Sequence, residues 1–230
     1  MSAIRSCIVF FFLLTSILGK AQKTVNLGFH FNYFAASPAF KENITRNPLG
    51  TSLTLMLDKS DRLKYGVEVG FGLYSGKKYY YETVAEGFPD NYEYLYEENG
   101  FLQCLLTIRY QILQSKKLTP FIDVKGGTST FFSVIRSMQV SEVYEDKFRF
   151  HDTTFNLGAG LGVSCDVGKI FKNEDWRRRL YFELSSNYIY GGKAGYRNSV
   201  RGEIVDSYEA GNRYSSTSTV QIKSGFLLAF

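Results

Sequence analysis

The stretch from Thr153 to Val167, T-T-F-N-L-G-A-G-L-G-V-S-C-D-V, alternates between two kinds of side chain. Odd positions from Phe155 onward are Phe, Leu, Ala, Leu, Val, Cys and Val, whereas even positions from Asn156 are Asn, Ser, Asp and three glycines. A period of two predicts a β-strand whose two faces meet different surroundings. Glycine adds nothing to a solvated surface, so glycines in succession on one face indicate crowding. The narrow interior of a transmembrane barrel is crowded in this way, and its apolar outer face meets lipid.

The same alternation recurs along the chain. It marks seven further segments: Lys23–Phe34, Leu49–Leu57, Leu63–Ser75, Phe101–Tyr110, Thr119–Phe132, Leu180–Tyr190 and Val220–Phe230. Most have about the 9–11 residues that a tilted membrane-spanning strand needs. The connections alternate between long and short, as they do between outer loops and periplasmic turns. The sequence therefore predicts an all-β fold, an eight-stranded antiparallel up-and-down transmembrane β-barrel with long extracellular loops.

A soluble eight-stranded barrel of the lipocalin kind is the alternative fold. It would place the apolar face of every strand inside. An eight-stranded barrel has room for little more than its own side chains, and four to seven apolar side chains per strand would overfill it. The soluble barrel also leaves the glycines of the other face unexplained, so the sequence favours the membrane barrel.

The N-terminus has the pattern of a cleavable signal peptide. Arg5 supplies the positive charge, Cys7 to Leu18 forms a short apolar run, and Gly19-Lys20-Ala21 predicts cleavage before Gln22. We expect residues 1–21 to be the signal peptide and residues 22–230 to form the barrel. Cleavage lowers the formal charge from +5 to +3, which is too small a charge to indicate nucleic acid as a partner.

Charged residues fall on the predicted inner face of the strands. They are Lys64, Glu68, Arg109, Asp123, Lys125, Glu183 and Lys223. A selective pore is one interpretation of these charges. A plug of mutually paired side chains is the other, because a charge buried alone is too costly to keep. The small interior of an eight-stranded barrel favours the plug.

Three features together resemble the PorT-like outer-membrane β-barrel family of the Bacteroidota, often called porin family proteins. They are the signal peptide ending in Ala21-Gln22, glycine-punctuated strands such as N-L-G-A-G-L-G-V, and a final strand ending in the aromatic Phe230. The segment F-L-Q-C-L-L-T-I-R-Y and the following L-T-P-F-I-D-V-K-G-G-T-S are similar to a central hairpin of that family. The resemblance implies an outer-membrane location and, for some members, a part in protein secretion. It also implies that Phe230 is read by the barrel-assembly machinery.

The sequence offers no strong candidate for catalysis, for a cofactor or for a metal. His30 and His151 are the two histidines. Barrels that deacylate envelope lipid use a histidine and a serine side by side, and H-D-T at 151–153 supplies no serine next to His151. An enzyme acting on envelope lipid is therefore the least favoured interpretation.

We expect a small, non-enzymatic outer-membrane barrel with a structural or surface-binding role. The segments K-K-Y-Y-Y-E (77–82) and Y-E-Y-L-Y-E-E (92–98) are rich in tyrosine, which suits either a contact surface or a hairpin extending two strands beyond the membrane. The alternative role is an accessory subunit of an outer-membrane secretion or transport assembly. The expected partners are outer-membrane lipids, the barrel-assembly machinery and secretion-system or surface proteins.

Overall fold

The computed structural model describes residues 24–82, 92–113, 118–138, 145–167, 179–197 and 212–230. The proposed signal peptide, residues 1–21, lies outside these ranges. Among the described residues, no helix is both long enough and apolar enough to cross a membrane.

Eight antiparallel strands form a closed barrel in which each strand pairs with its neighbours in the chain. They are β1 (Val25–Ala36), β2 (Leu49–Asp58), β3 (Leu63–Glu82), β4 (Tyr92–Gln111), β5 (Leu118–Met138), β6 (Glu145–Asp166), β7 (Arg179–Gly191) and β10 (Thr219–Ala229). A short hairpin, β8 (Lys193–Arg197) with β9 (Asn212–Ser216), is inserted between β7 and β10. One short helix, α1 (Pro38–Lys41), follows β1. The predicted fold class is confirmed.

The two faces of the strands are as the alternation predicts. On β1, Leu27, Phe29 and Phe31 are 47%, 43% and 62% exposed, whereas His30 and Asn32, at alternate positions, are buried. The other barrel strands repeat this pattern, with aliphatic and aromatic side chains outside and mainly polar side chains inside, although a few apolar ones such as Leu105 and Phe121 are also buried. An apolar belt around a polar interior is the arrangement of a transmembrane barrel and the inverse of a soluble one.

Four strands run beyond the ends that the apolar alternation predicts, and for β3 and β4 this is the extending hairpin that the sequence offers as one interpretation. The alternation of outward apolar residues places the end of β3 at Ser75 and the start of β4 at Phe101, but the two strands pair as far as Glu82 and Tyr92. Likewise β5 continues to Met138, and β6 begins at Glu145. Backbone pairing continues beyond the apolar belt, so strand ends cannot be located from lipid-facing residues alone.

The strands are strongly staggered around the barrel. This stagger is seen by following directly opposite residues from strand to strand around the barrel. The path starts at Phe34 on β1 and passes Gln221, Asn187, Gly160, Asp123, Arg109, Lys64 and Asp58 before it reaches Thr24. The path returns to β1 ten residues below its start, which means that the strands tilt steeply. Residues of different register positions therefore meet at one level of the interior.

Glycines allow the strands to approach each other closely, as the sequence predicts. A Cβ on Gly66 would lie 1.9 Å from the backbone oxygen of Leu55, and one on Gly50 would lie 1.7 Å from that of Phe71. Real Cβ atoms do not approach backbone oxygens so closely. At these two positions only glycine fits the curvature of the wall.

Candidate functional site

The buried charges of the interior form two ion-pair clusters. In the first, Glu68 Oε2 lies 2.9 Å from Lys125 Nζ and 2.6 Å from Lys223 Nζ. Gln221 completes the cluster, because its Nε2 donates to Glu68 Oε1 at 3.1 Å and its Oε1 accepts from Lys125 at 3.3 Å. All four side chains are buried. One carboxylate from β3 thus joins lysines from β5 and β10 across the barrel.

The second cluster is built on Arg109. Its Nε and Nη2 donate to the two carboxylate oxygens of Asp123 at 2.8 and 3.1 Å, and its Nη1 donates to Glu183. The other oxygen of Glu183 lies 3.2 Å from His30 Nε2. The guanidinium also lies 3.6 Å from the ring centre of Phe121, which covers it with an apolar face. Every hydrogen-bonding direction used by this arginine ends on a fixed partner.

Six of the seven charged residues predicted to face inward therefore come together, and Lys64 does not. Lys64 pairs with Asp58 at 3.0 Å and donates to Asn26 at 3.3 Å near the end of the barrel that carries the short connections. A cavity of about 360 Å³ lies at that end, lined by these three residues and by Phe230. We use the name ionic layer for the buried set His30, Glu68, Arg109, Asp123, Lys125, Glu183 and Lys223. Apart from the histidine, its three cations and three anions balance.

A cluster of buried apolar side chains lies at the other end of the barrel. This aromatic cap consists of Phe34, Phe40, Ile44, Tyr74, Phe101, Phe131, Ala194 and Tyr196, all buried. The ring of Phe40, carried by α1, packs edge-on against Tyr196 at 5.1 Å and Tyr74 at 5.8 Å between ring centres. Phe131 stacks on Tyr196 at 5.2 Å. Two connecting segments and the upper barrel wall thus share one small core.

Hydrogen bonds tie the two segments of the aromatic cap to each other. The Tyr196 hydroxyl lies 2.6 Å from Ser215 Oγ, which donates to the Ala39 carbonyl at 3.1 Å, and Asn43 Nδ2 donates to the same hydroxyl at 3.3 Å. Burial raises the pKa of Tyr196, so the phenol stays protonated. Since Ser215 gives its proton to Ala39, the phenol is the donor between them.

The aromatic cap escapes prediction from sequence. Phe40 and Ile44 lie in a connection without any period, and Tyr196 lies in a segment that the sequence suggests is a loop, although it forms β8. The one available signal is the presence of large apolar side chains within otherwise polar connections. Their partners cannot be identified without knowing that both segments fold over the barrel mouth.

The structure corrects the prediction that His151 has no serine beside it. Ser133, on the neighbouring strand, places its Oγ 2.6 Å from His151 Nε2. That serine is fully buried and donates its single proton to Asn99 Oδ1, whose amide is oriented by donation to Glu97 at 2.9 Å. The imidazole is therefore the donor to the serine, the reverse of what general-base activation of a nucleophile requires.

Within the described ranges, no group of three or more His, Cys, Asp or Glu side chains is placed to hold a metal ion.

Phe230, the predicted assembly signal, lies at the seam between β1 and β10. Its backbone N–H donates to the Val25 carbonyl at 2.9 Å, and its side chain is exposed.

No protein-family profile and no curated protein matches the chain. Among solved structures, it is similar to Neisserial surface protein A (NspA) with 12% identity and a TM-score of 0.45, over 91% of this chain and 98% of that one. It is also similar to Ail, the attachment invasion locus protein of Yersinia pestis, in complex with the heparin analogue sucrose octasulfate. The identity is 12% and the TM-score 0.40, over 89% of this chain and 97% of that one. A third similar structure is the N-terminal β-barrel domain of Pseudomonas aeruginosa OprF. Its identity is 14% and its TM-score 0.34, over 90% of this chain and 97% of that one.

Similarities at these identities and TM-scores carry no conclusion about this chain. The strand order, the apolar outer belt and the polar interior are features of this chain itself. By these features the chain is an eight-stranded antiparallel β-barrel of the transmembrane type.

Proposed function

We propose that this protein is a small, non-enzymatic integral protein of the outer membrane whose barrel is closed to solutes. The observation that supports the proposal is the position of two buried clusters in the barrel interior. The ionic layer fills the middle of the barrel with paired charges, and the aromatic cap covers the end with the long connections. A barrel that conducts nothing acts through its surfaces.

The outer-membrane location rests on the apolar belt and on the predicted signal peptide. Lipids of that membrane are the partners of the belt, which exposes side chains such as Phe31, Leu161 and Phe226. Fractionation of cells that express the natural chain tests the location. We expect the mature protein in the outer-membrane fraction and its release by detergent only. Recovery from the soluble periplasm without detergent would contradict the proposal.

The surface role belongs to the part of the sheet that continues beyond the belt. The β3–β4 and β5–β6 hairpins remain paired from Ser75 to Glu82 and from Ser133 to Ser137. Since β4 and β5 also pair over this stretch, the four strands form a continuous sheet that can contact a surface partner. The structure describes the backbone of this extension but not the side chains of its tyrosines. Their role in binding is therefore supported by the sequence alone.

Membership of the PorT-like porin family is also part of the proposal, and it rests on the sequence motifs. The resemblance supports a second role, as an accessory subunit of a secretion or transport assembly. The paired extension favours this role because it offers a preformed surface to a neighbouring subunit. Purification in mild detergent separates the two roles. A subunit brings down a stoichiometric partner, whereas a solitary surface barrel brings down none.

During biogenesis, we propose that the barrel-assembly machinery recognises the terminal Phe230. Its exposed aromatic ring at the end of β10 is accessible to such a partner. The barrel has no proposed cofactor, metal or nucleic-acid ligand.

A further inference from the structure

Three buried polar side chains between the ionic layer and the aromatic cap carry atoms with no hydrogen-bond partner among the described residues. They are Asn32 Nδ2 and Oδ1, Ser52 Oγ and Asn187 Oδ1. Asn32 and Ser52 are each 3% exposed, and Asn187 is 0% exposed. Thr107 Oγ1, on β4, is a further buried atom of this kind. Other interior groups are paired, as where Gln103 donates to Ser129.

The pairing register places the three side chains at about one level. On β1, Asn32 lies between His30, in the ionic layer, and Phe34, in the aromatic cap. Ser52 pairs with His30, so it is a diagonal neighbour of Asn32 on the same face.

Asn187 reaches the same level from β7. It pairs with Gln221, whose side chain binds Glu68 and Lys125 at the upper side of the ionic layer. Along the barrel axis, the three side chains therefore lie between the ion pairs and the aromatic rings.

We propose that these side chains bind a small internal cluster of water molecules. A buried carboxamide or hydroxyl left without partners is costly, and native proteins satisfy such groups with ordered water. Closure of the barrel at both levels keeps the cluster apart from bulk solvent. The interior is then sealed against solutes and hydrated in one layer.

The mixture of donors and acceptors selects water over an ion. A bound cation would meet the donor Nδ2 of Asn32, and a bound anion would meet the acceptors Asn32 Oδ1 and Asn187 Oδ1. The lysines below already bind Glu68. Water both donates and accepts, so it satisfies all four atoms. The proposal concerns the interior alone and holds whatever the surface role is.

A crystal structure of the mature natural protein, at a resolution that shows internal water, tests the proposal directly. We expect water oxygens about 2.7–3.2 Å from Asn32 and Ser52. A second crystal soaked in bromide checks for an anion. Absence of water at this level, while other internal water is visible, would overturn the proposal. An anomalous bromide peak beside Asn32 would overturn it as well.

A pair of variants gives an independent test. Asn99→Leu is the reference, because Asn99 donates to Ser75 and Glu97 within the protein and its loss must lower the unfolding temperature. If Asn32 binds water, Asn32→Leu lowers the midpoint of heat-induced unfolding in the same direction. If the carboxamide has no partner at all, the apolar leucine is the better residue. An unchanged or raised midpoint for Asn32→Leu therefore contradicts the proposal.

Discussion

Replacement of Glu68 by glutamine tests the energetics of the ionic layer most sharply. The change keeps the shape of the side chain and removes the single charge that two buried lysines share. Lys125 Nζ and Lys223 Nζ both contact Glu68 Oε2, and all three side chains are no more than 2% exposed. Both lysines are buried away from bulk solvent, which therefore cannot replace the carboxylate.

Removal of one partner from a buried ion pair costs about 3–5 kcal/mol, since it leaves an uncompensated charge out of water. Here two cations lose the same partner, so we expect a loss of at least about 3 kcal/mol in the free energy of unfolding. A typical domain has a total of about 5–15 kcal/mol. The Glu68→Gln barrel should therefore unfold at a clearly lower urea concentration.

Urea unfolding in lipid vesicles, followed by heat-modifiable gel migration, measures this loss. Lys64→Gln is the matched control, because Lys64 and Asp58 keep 11% and 28% of their side chains exposed. Removal of this lysine leaves a partly hydrated partner and should therefore cost less than Glu68→Gln. The double variant Glu68→Gln with Lys223→Met should recover part of the loss. If Glu68→Gln costs no more than Lys64→Gln, the claim of a buried, mutually compensated layer is refuted.

Three further perturbations test the seam, the cap and the wall. Deletion of residues 229–230 should abolish the compact heat-modifiable form, since the seam loses backbone hydrogen bonds that lipid cannot replace; normal abundance of that form would contradict the closing role. Phe40→Ala should cost about 3–5 kcal/mol in unfolding experiments, whereas Phe150→Ala, at an exposed ring, should cost far less; equal losses would refute the packed cap. Gly66→Ala should impair insertion while Gly126→Ala does not, because a Cβ at Gly126 meets nothing closer than 3.5 Å; equal yields of inserted barrel would contradict the close strand approach.

The barrel and the orientation of its strands can be predicted from the sequence because both follow from a period of two. The residue type at each position shows which face it belongs to, as where the outward Leu157 is followed by Gly158. The extensions of β3 to β6 are not recorded in this way. Beyond the belt, residues on the outer face need not be apolar, so the pattern weakens. The backbone pairing continues nevertheless, as between Tyr80 and Tyr94.

The charged residues of the site can also be identified from the sequence, but their partners cannot. A charge on an inner face is visible because it alternates with the apolar residues of the outer face. By this criterion Lys64 and Glu68 cannot be told apart. The ten-residue stagger brings Glu68 to Lys223 and leaves Lys64 with Asp58. Stagger is a property of the closed barrel, and no single strand encodes it.

The central claim is that the interior is closed, and conductance across a planar bilayer tests it most directly. The purified mature protein, folded into the bilayer as a heat-modifiable monomer, is the sample. The ionic layer and the aromatic cap predict no large, steady openings at any moderate voltage. Reproducible, porin-sized openings from the monomer would contradict the claim, because they require an aqueous path through both levels.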